Sequence, residues 1–569
     1  MANAATSPEA ERPWLRRYPP KVPPSLEIPP VLLTEMVRAT VERWPDREAM
    51  VFYGARWSYR ELWEAAGELA RRLAAEGVGP GDRVAISLPN CPLYPIALLA
   101  SWWLGAVAVQ VSPLLVEEDL SHALRDAEPK ALVTLEILYP RLERIEKDVR
   151  APVEFVARLR SFYPALRRPF VNLVLRRRGL PTVLPNGTRV RPLTNLKRTG
   201  AAPPLPQGDP ASTVAVLQYT GGTTGRSKAA MLSHRNLVSN VAQINAWNTS
   251  RVPGGEVILA SIPFFHIYGL TVALLKGLAD GSTIVIELQP DPREILRLVD
   301  RYRPTQFPGV PALYVAFLKQ PDLGRYRIRS IKFCVSGSAP LTPETRRLFE
   351  AATGGKLVEG YGLSEASPVT HANPEEGEGR VGSIGLPLPE TDQRIVDSET
   401  GTRVLPLGET GELEVRGPQV MLGYFRKPEE TALVLRDGWL LTGDIARIDA
   451  EGYAYIVDRK KDVINVGGLK VYPREVEEVL LEHPAVADAA VVGVADVEHG
   501  EIPWAFVVPR PGSTPREEEL IAFVRGRIAH YKAPRAVEFR ESLPRTGVQK
   551  VLRRALKEEA LRSARPPDA

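Results

Sequence analysis

Short apolar runs alternate along this chain with longer segments in which apolar residues recur at the spacing of a helix. Residues 84–88 predict a buried strand, and Leu62 and Leu73 precede it on one side of a predicted helix. Residues 213–217 predict a second buried strand, and Ser233 is placed to cap a helix after it. Strands that alternate with helices favour an α/β fold, here a large multi-layer N-terminal domain with mainly parallel sheets.

The last part of the chain has the pattern of a smaller α+β unit. Residues 476–481 and 520–527 predict helices, whereas residues 487–494 and 504–508 predict strands. At the other end, residues 1–30 are interpreted as an extended arm, because they are rich in proline and charge. We expect no signal peptide there, since the arm has no apolar segment.

One stretch resembles a membrane span, because residues 84–116 contain no charged residue. Three prolines interrupt its first half. We therefore predict a buried helix over residues 96–104 and a strand over residues 107–111. The sequence favours a soluble core over a spanning helix.

Composition limits the functional classes. With 569 residues, of which 44% are hydrophobic and 25% charged, the chain has the make-up of a soluble globular protein. Its length predicts about two to four domains. A net charge of +5 is small for this length and does not indicate a nucleic-acid binder. The two cysteines, Cys91 and Cys334, exclude a disulfide framework and fit a reducing cytoplasm.

Candidate chemistry centres on residues 219–228, which contain three glycines, three threonines and a lysine. Glycine lets the backbone approach a ligand, and hydroxyls with a lysine supply donors to an anion such as phosphate. A Gly/Thr-rich surface turn is the alternative. The spacing excludes a P-loop NTPase, because Arg226 follows Gly225 and Ala229 follows Lys228.

Further segments downstream carry chemically useful residues. His266 lies among aromatic residues, a setting in which a histidine is usually part of the core. Residues 335–341 predict a strand and a turn of small residues, beside which a flat ring fits. Tyr361 is able to stack on a purine, and the Glu365 carboxylate is able to hold a magnesium ion that bridges phosphates. Residues 458–462 are a charged run of the kind that normally forms a solvated turn.

In this order, the motifs resemble those of the adenylate-forming enzymes, which include acyl-CoA synthetases, peptide-synthetase adenylation domains and firefly luciferase. The loop has the family's form Tyr-Thr-Gly-Gly-Thr-Thr-Gly, residues 359–365 resemble its Tyr-Gly-x-Thr-Glu motif, and residues 543–550 resemble its last motif. Three residues depart from these patterns. Ala229 and Gln549 stand where the family has glycine, and Ser364 stands where it has threonine. The resemblance covers nearly the whole chain.

The resemblance implies an ATP site with catalytic, metal-binding and nucleotide-binding residues. The implied catalytic residues are Lys550, which stands at the adenylation lysine, and Lys228, Thr224, Glu365 and His266, the last near the substrate carboxylate. Magnesium would be held by Glu365 and Thr224. Contacts with the nucleotide fall on Thr220, Gly221, Gly222, Thr223, Gly225, Gly337, Ser338, Ala339, Pro340, Tyr361, Gly362, Ser364, Asp444 and Arg459, of which Asp444 would accept from the ribose hydroxyls. Contacts with coenzyme A fall on Gly467, Gly468 and Lys470.

The resemblance also implies a domain division and a two-step reaction. An AMP- and acyl-binding domain would span residues 31–458 and a small mobile domain residues 459–569, with a hinge at 458–462 whose pivot is Lys461. A carboxylate would attack the α-phosphate of ATP with the help of Mg²⁺, and the thiol of coenzyme A would then attack the acyl-adenylate. The small domain would rotate between the two steps.

Residues 155–180 contain seven arginines and no acid, with apolar residues between them. A basic amphipathic segment is able to lie on an anionic membrane surface, and a solvated helical face beside a core is an equal alternative. Bacterial long-chain acyl-CoA ligases have a comparable insertion, and this analogy modestly favours the membrane surface.

The leading hypothesis is an ATP-dependent fatty-acid–CoA ligase for long- or medium-chain acids, located in the cytoplasm or at the inner face of the membrane. The loop, the basic insertion and the Asp-Arg-Lys-Lys-Asp run resemble bacterial long-chain ligases more than acetate or aryl-acid ligases. The alternatives are a CoA ligase for an aryl or branched acid, a fatty-acyl-AMP ligase and a non-catalytic protein on the same fold. No nucleic-acid partner is expected, and a homodimer joined through the N-terminal arm is one alternative for assembly.

Overall fold

The computed structural model describes residues 12–220, 227–377, 379–496, 498–545 and 551–563. The chain forms two compact units. The larger contains the described parts of Trp14–Asp392 and Arg416–Leu440, and the smaller contains Gln393–Val415 and the described parts of Met1–Pro13 and Leu441–Ala569. The predicted hinge at 458–462 stays a prediction.

An eight-stranded sheet lies at the centre of the larger unit. Across the sheet the strands are Gly423–Tyr424, Lys228–Ser233, Val214–Thr220, Val107–Gln110, Arg83–Ser87, Ala131–Leu135, Val153–Ala157 and Val190–Leu193. The last six strands are parallel to their neighbours. Gly423–Tyr424 pairs antiparallel with Lys228–Ser233, which in turn pairs antiparallel with Val214–Thr220. The predicted α/β fold with a mainly parallel sheet is therefore confirmed.

Two four-stranded sheets complete the larger unit. The strands of one are Val257–Ala260, Thr283–Ile286, Glu48–Phe52 and Ala55–Ser58, and those of the other are Phe333–Ser336, Lys356–Gly362, Val369–Ala372 and Leu386–Pro387. Glu48–Phe52, which the apolar pattern did not predict, pairs in parallel with Thr283–Ile286.

The helices of the larger unit alternate with its strands along the chain. The α-helices are Leu33–Arg43, Tyr59–Ala75, Leu93–Trp103, Glu117–Ala127, Tyr139–Glu143, Arg168–Arg177, His234–Trp247, Lys276–Asp280, Pro292–Tyr302, Pro311–Leu318, Pro343–Thr353 and Pro428–Val434, and Gly269–Leu275 is a π-helix. Single 3₁₀ turns are formed by Pro13–Arg17, Leu159–Phe162, Ala165–Arg167, Leu323–Arg325, Ile328–Ser330 and Ser364–Ala366. The predicted cap is confirmed, because the Ser233 hydroxyl accepts from the backbone N–H of Asn236 at 3.1 Å.

The uncharged stretch over residues 84–116 forms core rather than a span. Every residue of the helix Leu93–Trp103 is buried, and a strand of the central sheet lies on either side of it in sequence. Among the described residues, no helix combines the length and apolar character needed to cross a membrane.

From Trp14 onward, the N-terminal arm packs within the larger unit. Trp14 and Val22 are buried. The Tyr18 hydroxyl donates to the carbonyl of Pro387 at 2.7 Å, and the Leu26 N–H donates to Glu390 at 2.8 Å.

The smaller unit has the predicted α+β pattern. One sheet contains Asp392–Val396, Thr410–Arg416, Trp439–Ile448 and Ala454–Arg459, most of whose residues belong to this unit, and another contains Leu469–Val471, Ile464–Val466, Gly500–Pro509, Val486–Asp496 and Ala536–Phe539. The two-residue strand Leu435–Arg436 belongs to the larger unit. Its helices are Pro473–Leu481, Glu517–Arg525 and Arg553–Ser563, with 3₁₀ turns at Lys460–Asp462 and His530–Lys532. The two predicted helices and two predicted strands are confirmed, with bounds that differ by a few residues. They enclose a core around Val476, Leu480, Val507 and Leu520.

Candidate active site

The two ends of the predicted phosphate loop lie on adjacent antiparallel strands. Thr220 ends one strand, Lys228 begins the next, and the two residues are register partners. The Thr220 hydroxyl donates to the carbonyl of Lys228 at 3.3 Å. Five residues assigned to the loop, namely Gly221, Gly222, Thr223, Thr224 and Gly225, lie outside the described residues. The central sheet thus fixes both ends of the loop.

Glu365 lies beside these strands. It belongs to the turn Ser364–Ala366, and its backbone carbonyl accepts from the Met421 N–H at 2.8 Å. The Tyr424 hydroxyl donates to Glu365 Oε1 at 2.9 Å. Because Tyr424 pairs with Ala230 in the central sheet, this bond holds the predicted metal ligand next to the strand that Lys228 begins.

Lys228 also lies close to Tyr424. Its ammonium nitrogen lies 5.3 Å from the centroid of the Tyr424 ring, and it forms an ion pair with the Glu430 carboxylate. Burial, and then the Glu365 charge, raise the pKa of Tyr424, so its hydroxyl stays a donor. Sequence reasoning missed Tyr424 and Glu430, which join two predicted site residues, Lys228 and Glu365.

The predicted adenine-binding residues lie on two neighbouring strands. Gly337, Ser338, Ala339 and Pro340 follow Phe333–Ser336, which pairs in parallel with the strand that carries Tyr361. Ser338 has a φ of +70°. The sheet therefore brings the small-residue turn and the tyrosine to the same edge.

Two glycines at this edge have structural reasons for their identity. A Cβ at Gly337 would lie 3.3 Å from the ring of Tyr268. The flat ring that lies beside this turn is therefore the side chain of Tyr268. At Gly362 a Cβ would lie 2.1 Å from the backbone oxygen of Pro368, which no side chain tolerates.

His266 is half-buried in a segment held by hydrogen bonds. Its Nδ1 accepts from the Tyr268 N–H at 3.3 Å. Gln218, on the strand that leads to the phosphate loop, donates to the carbonyl of Phe265 at 3.2 Å. Asn90, which sequence reasoning missed, donates to the carbonyl of Ile262 at 2.9 Å and accepts from the Phe264 N–H at 2.7 Å. These bonds keep the histidine segment beside the loop strand.

In the smaller unit, Asp444 and Arg459 are register partners on adjacent strands. Arg459 Nε lies 3.7 Å from Asp444 Oδ1. Partial burial and the nearby Arg459 charge lower the pKa of Lys461 to about 8. Asp458 accepts from the backbone N–H of Arg474 at 2.7 Å, which ties the predicted hinge segment to the helix Pro473–Leu481.

The predicted coenzyme contacts form an exposed hairpin. Gly467 and Gly468 have φ values of +57° and +88° in a two-residue turn, a backbone shape that favours glycine at both positions. Lys470 donates to the Ser398 hydroxyl at 2.9 Å. Lys550 and Gln549 lie outside the described residues.

The chain matches two family models along most of its length. Residues 37–425 match the AMP-binding enzyme model, and residues 475–550 match that of the AMP-binding enzyme C-terminal domain. The fold and the match together establish that the chain belongs to the AMP-binding enzyme family.

Relatives of known name span the whole chain. A long-chain-fatty-acid–CoA ligase of Bacillus subtilis is 42% identical over 97% of this chain and 98% of that protein. A 4-coumarate–CoA ligase-like protein of Oryza sativa is 35% identical over 98% of this chain and 97% of that protein. The solved structure of ATP-bound MatB from Rhodopseudomonas palustris has a TM-score of 0.77 and 30% identity, and covers 94% of this chain and all of that one.

Proposed function

We propose that the protein is an ATP-dependent fatty-acid–CoA ligase for long- or medium-chain acids. It would form an acyl-adenylate and pyrophosphate, and then acyl-CoA and AMP. One observation supports the adenylation step. Tyr424 contacts both Lys228 and Glu365, beside the strands that border the phosphate loop. The 42% identity with a long-chain ligase supports the choice of acid.

In the first step two anions are brought together, so cations and oriented hydrogen-bond donors are needed to stabilise the negative charge of the transition state. Lys228 and the hydroxyls of Thr220, Thr223 and Thr224 would bind the phosphates, and Lys550 would stabilise the charge that develops as the carboxylate attacks. His266 would position that carboxylate. The nucleoside would be held by the adenine-site residues Gly337, Ser338, Ala339, Pro340, Tyr361, Gly362 and Ser364, and by Asp444 and Arg459 at the ribose and phosphates.

The residues present suit a magnesium ion. One Glu365 oxygen accepts from Tyr424, which orients the carboxylate, and carboxylate and hydroxyl oxygens are the ligands that Mg²⁺ prefers. Glu365 and Thr224 would hold it. When bound, the ion neutralises negative charge on the phosphates.

Changing Tyr424 to phenylalanine should weaken the response to magnesium. The variant keeps the ring beside Lys228 but loses the hydroxyl that orients Glu365. We expect the Mg²⁺ concentration for half-maximal pyrophosphate release to rise about tenfold, with little change at saturating Mg²⁺. A magnesium titration at fixed ATP measures this. An unchanged midpoint would show that the bond does not orient the metal ligand.

The second step would use the small domain in a different orientation. Gly467, Gly468 and Lys470 would contact coenzyme A, and Lys461 would be the pivot. Attack of the thiol on the acyl carbon releases AMP, and no protein nucleophile is required.

Changing Lys461 to proline should separate the two steps. Proline fixes φ and removes a backbone donor, so rotation at this residue is restricted. We expect adenylation to stay within about threefold of the wild type and thioester formation to fall about tenfold or more. Lys461→Ala, which keeps a flexible backbone, is the control. A proline variant with full overall turnover would contradict the hinge.

Substrate choice is tested by pyrophosphate release with palmitate, octanoate, benzoate and a branched short acid. We expect activity with palmitate or octanoate and little with benzoate. The identity with a 4-coumarate–CoA ligase-like protein favours an aryl acid as the second candidate. Strong benzoate activity without palmitate activity would select it, and no pyrophosphate with any acid would favour a non-catalytic protein.

We also propose that the enzyme associates peripherally with anionic membrane surfaces. Only Leu175 of the helix Arg168–Arg177 is buried. Leu166, in the preceding 3₁₀ turn, and Phe170, in the helix, are 97% and 67% exposed. The exposed Arg167 and Arg168 lie between them in the sequence, and the exposed Arg176 and Arg177 end the helix. Apolar side chains flanked by arginine suit the boundary between anionic headgroups and acyl chains.

Sedimentation with vesicles tests this association. We expect binding to vesicles that contain phosphatidylglycerol and weaker binding to pure phosphatidylcholine. The double variant Leu166→Ser/Phe170→Ser should bind about tenfold more weakly. Leu348→Ser, on another exposed helix, is the matched control. Equal binding by all three proteins would refute the proposed membrane-binding surface.

The homodimer stays a prediction. Light scattering measures the oligomeric state that tests it.

A further inference from the structure

Lys228 carries a counter-ion of its own. Its ammonium group pairs with the Glu430 carboxylate, and both side chains are about one-third exposed, at 33% and 32%. Under the proposed function this ammonium binds the phosphates of ATP, so a protein carboxylate occupies part of the place that an anionic substrate needs.

The carboxylate is held in place through Tyr424. Glu430 lies on the helix Pro428–Val434, and Thr431 of that helix accepts from the Tyr424 N–H at 2.9 Å. The same threonine hydroxyl donates to the carbonyl of Lys427 at 2.8 Å. The helix is thus fastened to the strand Gly423–Tyr424, next to the strand that Lys228 begins.

Both partners keep support if the ion pair opens. Lys228 retains the Tyr424 ring, 5.3 Å away, and Glu430 retains Lys427, whose ammonium lies 3.9 Å from its other oxygen. An ion pair at this level of exposure contributes little free energy, because water screens it. A carboxylate with a second cation in reach is therefore easily exchanged for a phosphate.

We propose that Glu430 is an exchangeable counter-ion of Lys228, displaced by the phosphates of MgATP on binding and returning to Lys228 as magnesium pyrophosphate leaves. This inference rests on the proposed function, in which Lys228 binds phosphate. Glu430 is then a positioning residue that weakens the binding of phosphates at this loop and favours product release.

The test compares the wild type with Glu430→Gln, which removes the charge and keeps the shape. We expect the KM for MgATP and the inhibition constant for magnesium pyrophosphate to fall together by about three- to tenfold. The kcat should not rise, because product release becomes slower. Glu430→Ala should change both constants in the same direction, and thermal unfolding checks that both variants are folded.

Glu429→Gln is the matched control. Glu429 is exposed on the same helix, one residue earlier, and the change removes the same charge without touching the Lys228 ion pair. Both constants should keep their wild-type values in this variant. If either constant is unchanged or rises in folded Glu430→Gln, the counter-ion proposal is wrong. A wild type that releases no pyrophosphate from ATP with any acid would instead refute the proposed function.

Discussion

Replacing Glu365 by glutamine is expected to lower the rate of adenylation by about 100-fold or more. The amide has the size of the carboxylate and is still able to accept from Tyr424, so the local structure should survive. It lacks the negative charge that holds a divalent cation. The loss should therefore fall on the chemical step rather than on folding.

Pyrophosphate release over a range of Mg²⁺ concentrations, with ATP and palmitate saturating, measures this effect. Glu429→Gln serves again as the control, because it removes an exposed charge from the same compact unit. A Glu365→Gln enzyme within about fivefold of the wild type at every Mg²⁺ concentration would rule out this carboxylate as the metal ligand.

Replacing Lys550 by alanine is expected to abolish one half of the reaction and spare the other. Loss of one preorganised donor to the developing charge typically costs about 3–4 kcal/mol, or roughly 100- to 1,000-fold in rate. Thioester formation from supplied palmitoyl-adenylate and coenzyme A does not need this lysine. We expect that half-reaction to stay within about twofold of the wild type.

The two half-reactions are measured separately, the first as pyrophosphate release without coenzyme A and the second as acyl-CoA formation from the adenylate. Lys557→Ala is the control, since Lys557 lies seven residues later and pairs with Glu501 on the surface. If both half-reactions fall equally in Lys550→Ala, the assignment of two conformations is wrong.

Much of the fold was predictable because local patterns report burial. Three strands of the central sheet, the helix after Ser233, and two helices and two strands of the C-terminal unit are signalled by apolar spacing or caps. The strand Glu48–Phe52 was not predicted. It pairs with the adjacent strand Ala55–Ser58 and, in parallel, with Thr283–Ile286, which is far away in the sequence. Local spacing carries no information about such a partner.

Lys228 and Glu365 were proposed as site residues from residue type and motif, and in the structure both contact Tyr424. Tyr424 and Glu430 were missed for a physical reason. Their importance depends on Gly423–Tyr424 joining the central sheet beside Ala230, and a two-residue strand has no periodicity to detect. Gly337 is the opposite case. Its small size suggests room for the ring of a ligand, but in the structure the ring of Tyr268 lies beside this glycine.

In the proposed reaction, the carboxylate of a fatty acid attacks the α-phosphate of ATP, and a thiol then displaces AMP. Palmitate labelled with oxygen-18 in its carboxylate tests this directly. The attacking oxygen becomes the bridge of the acyl-adenylate, and cleavage of the carbon–oxygen bond by the thiol leaves it on AMP. Mass spectrometry should find one labelled oxygen in AMP and none in pyrophosphate. Unlabelled AMP, or label in inorganic phosphate together with ADP, would contradict the account.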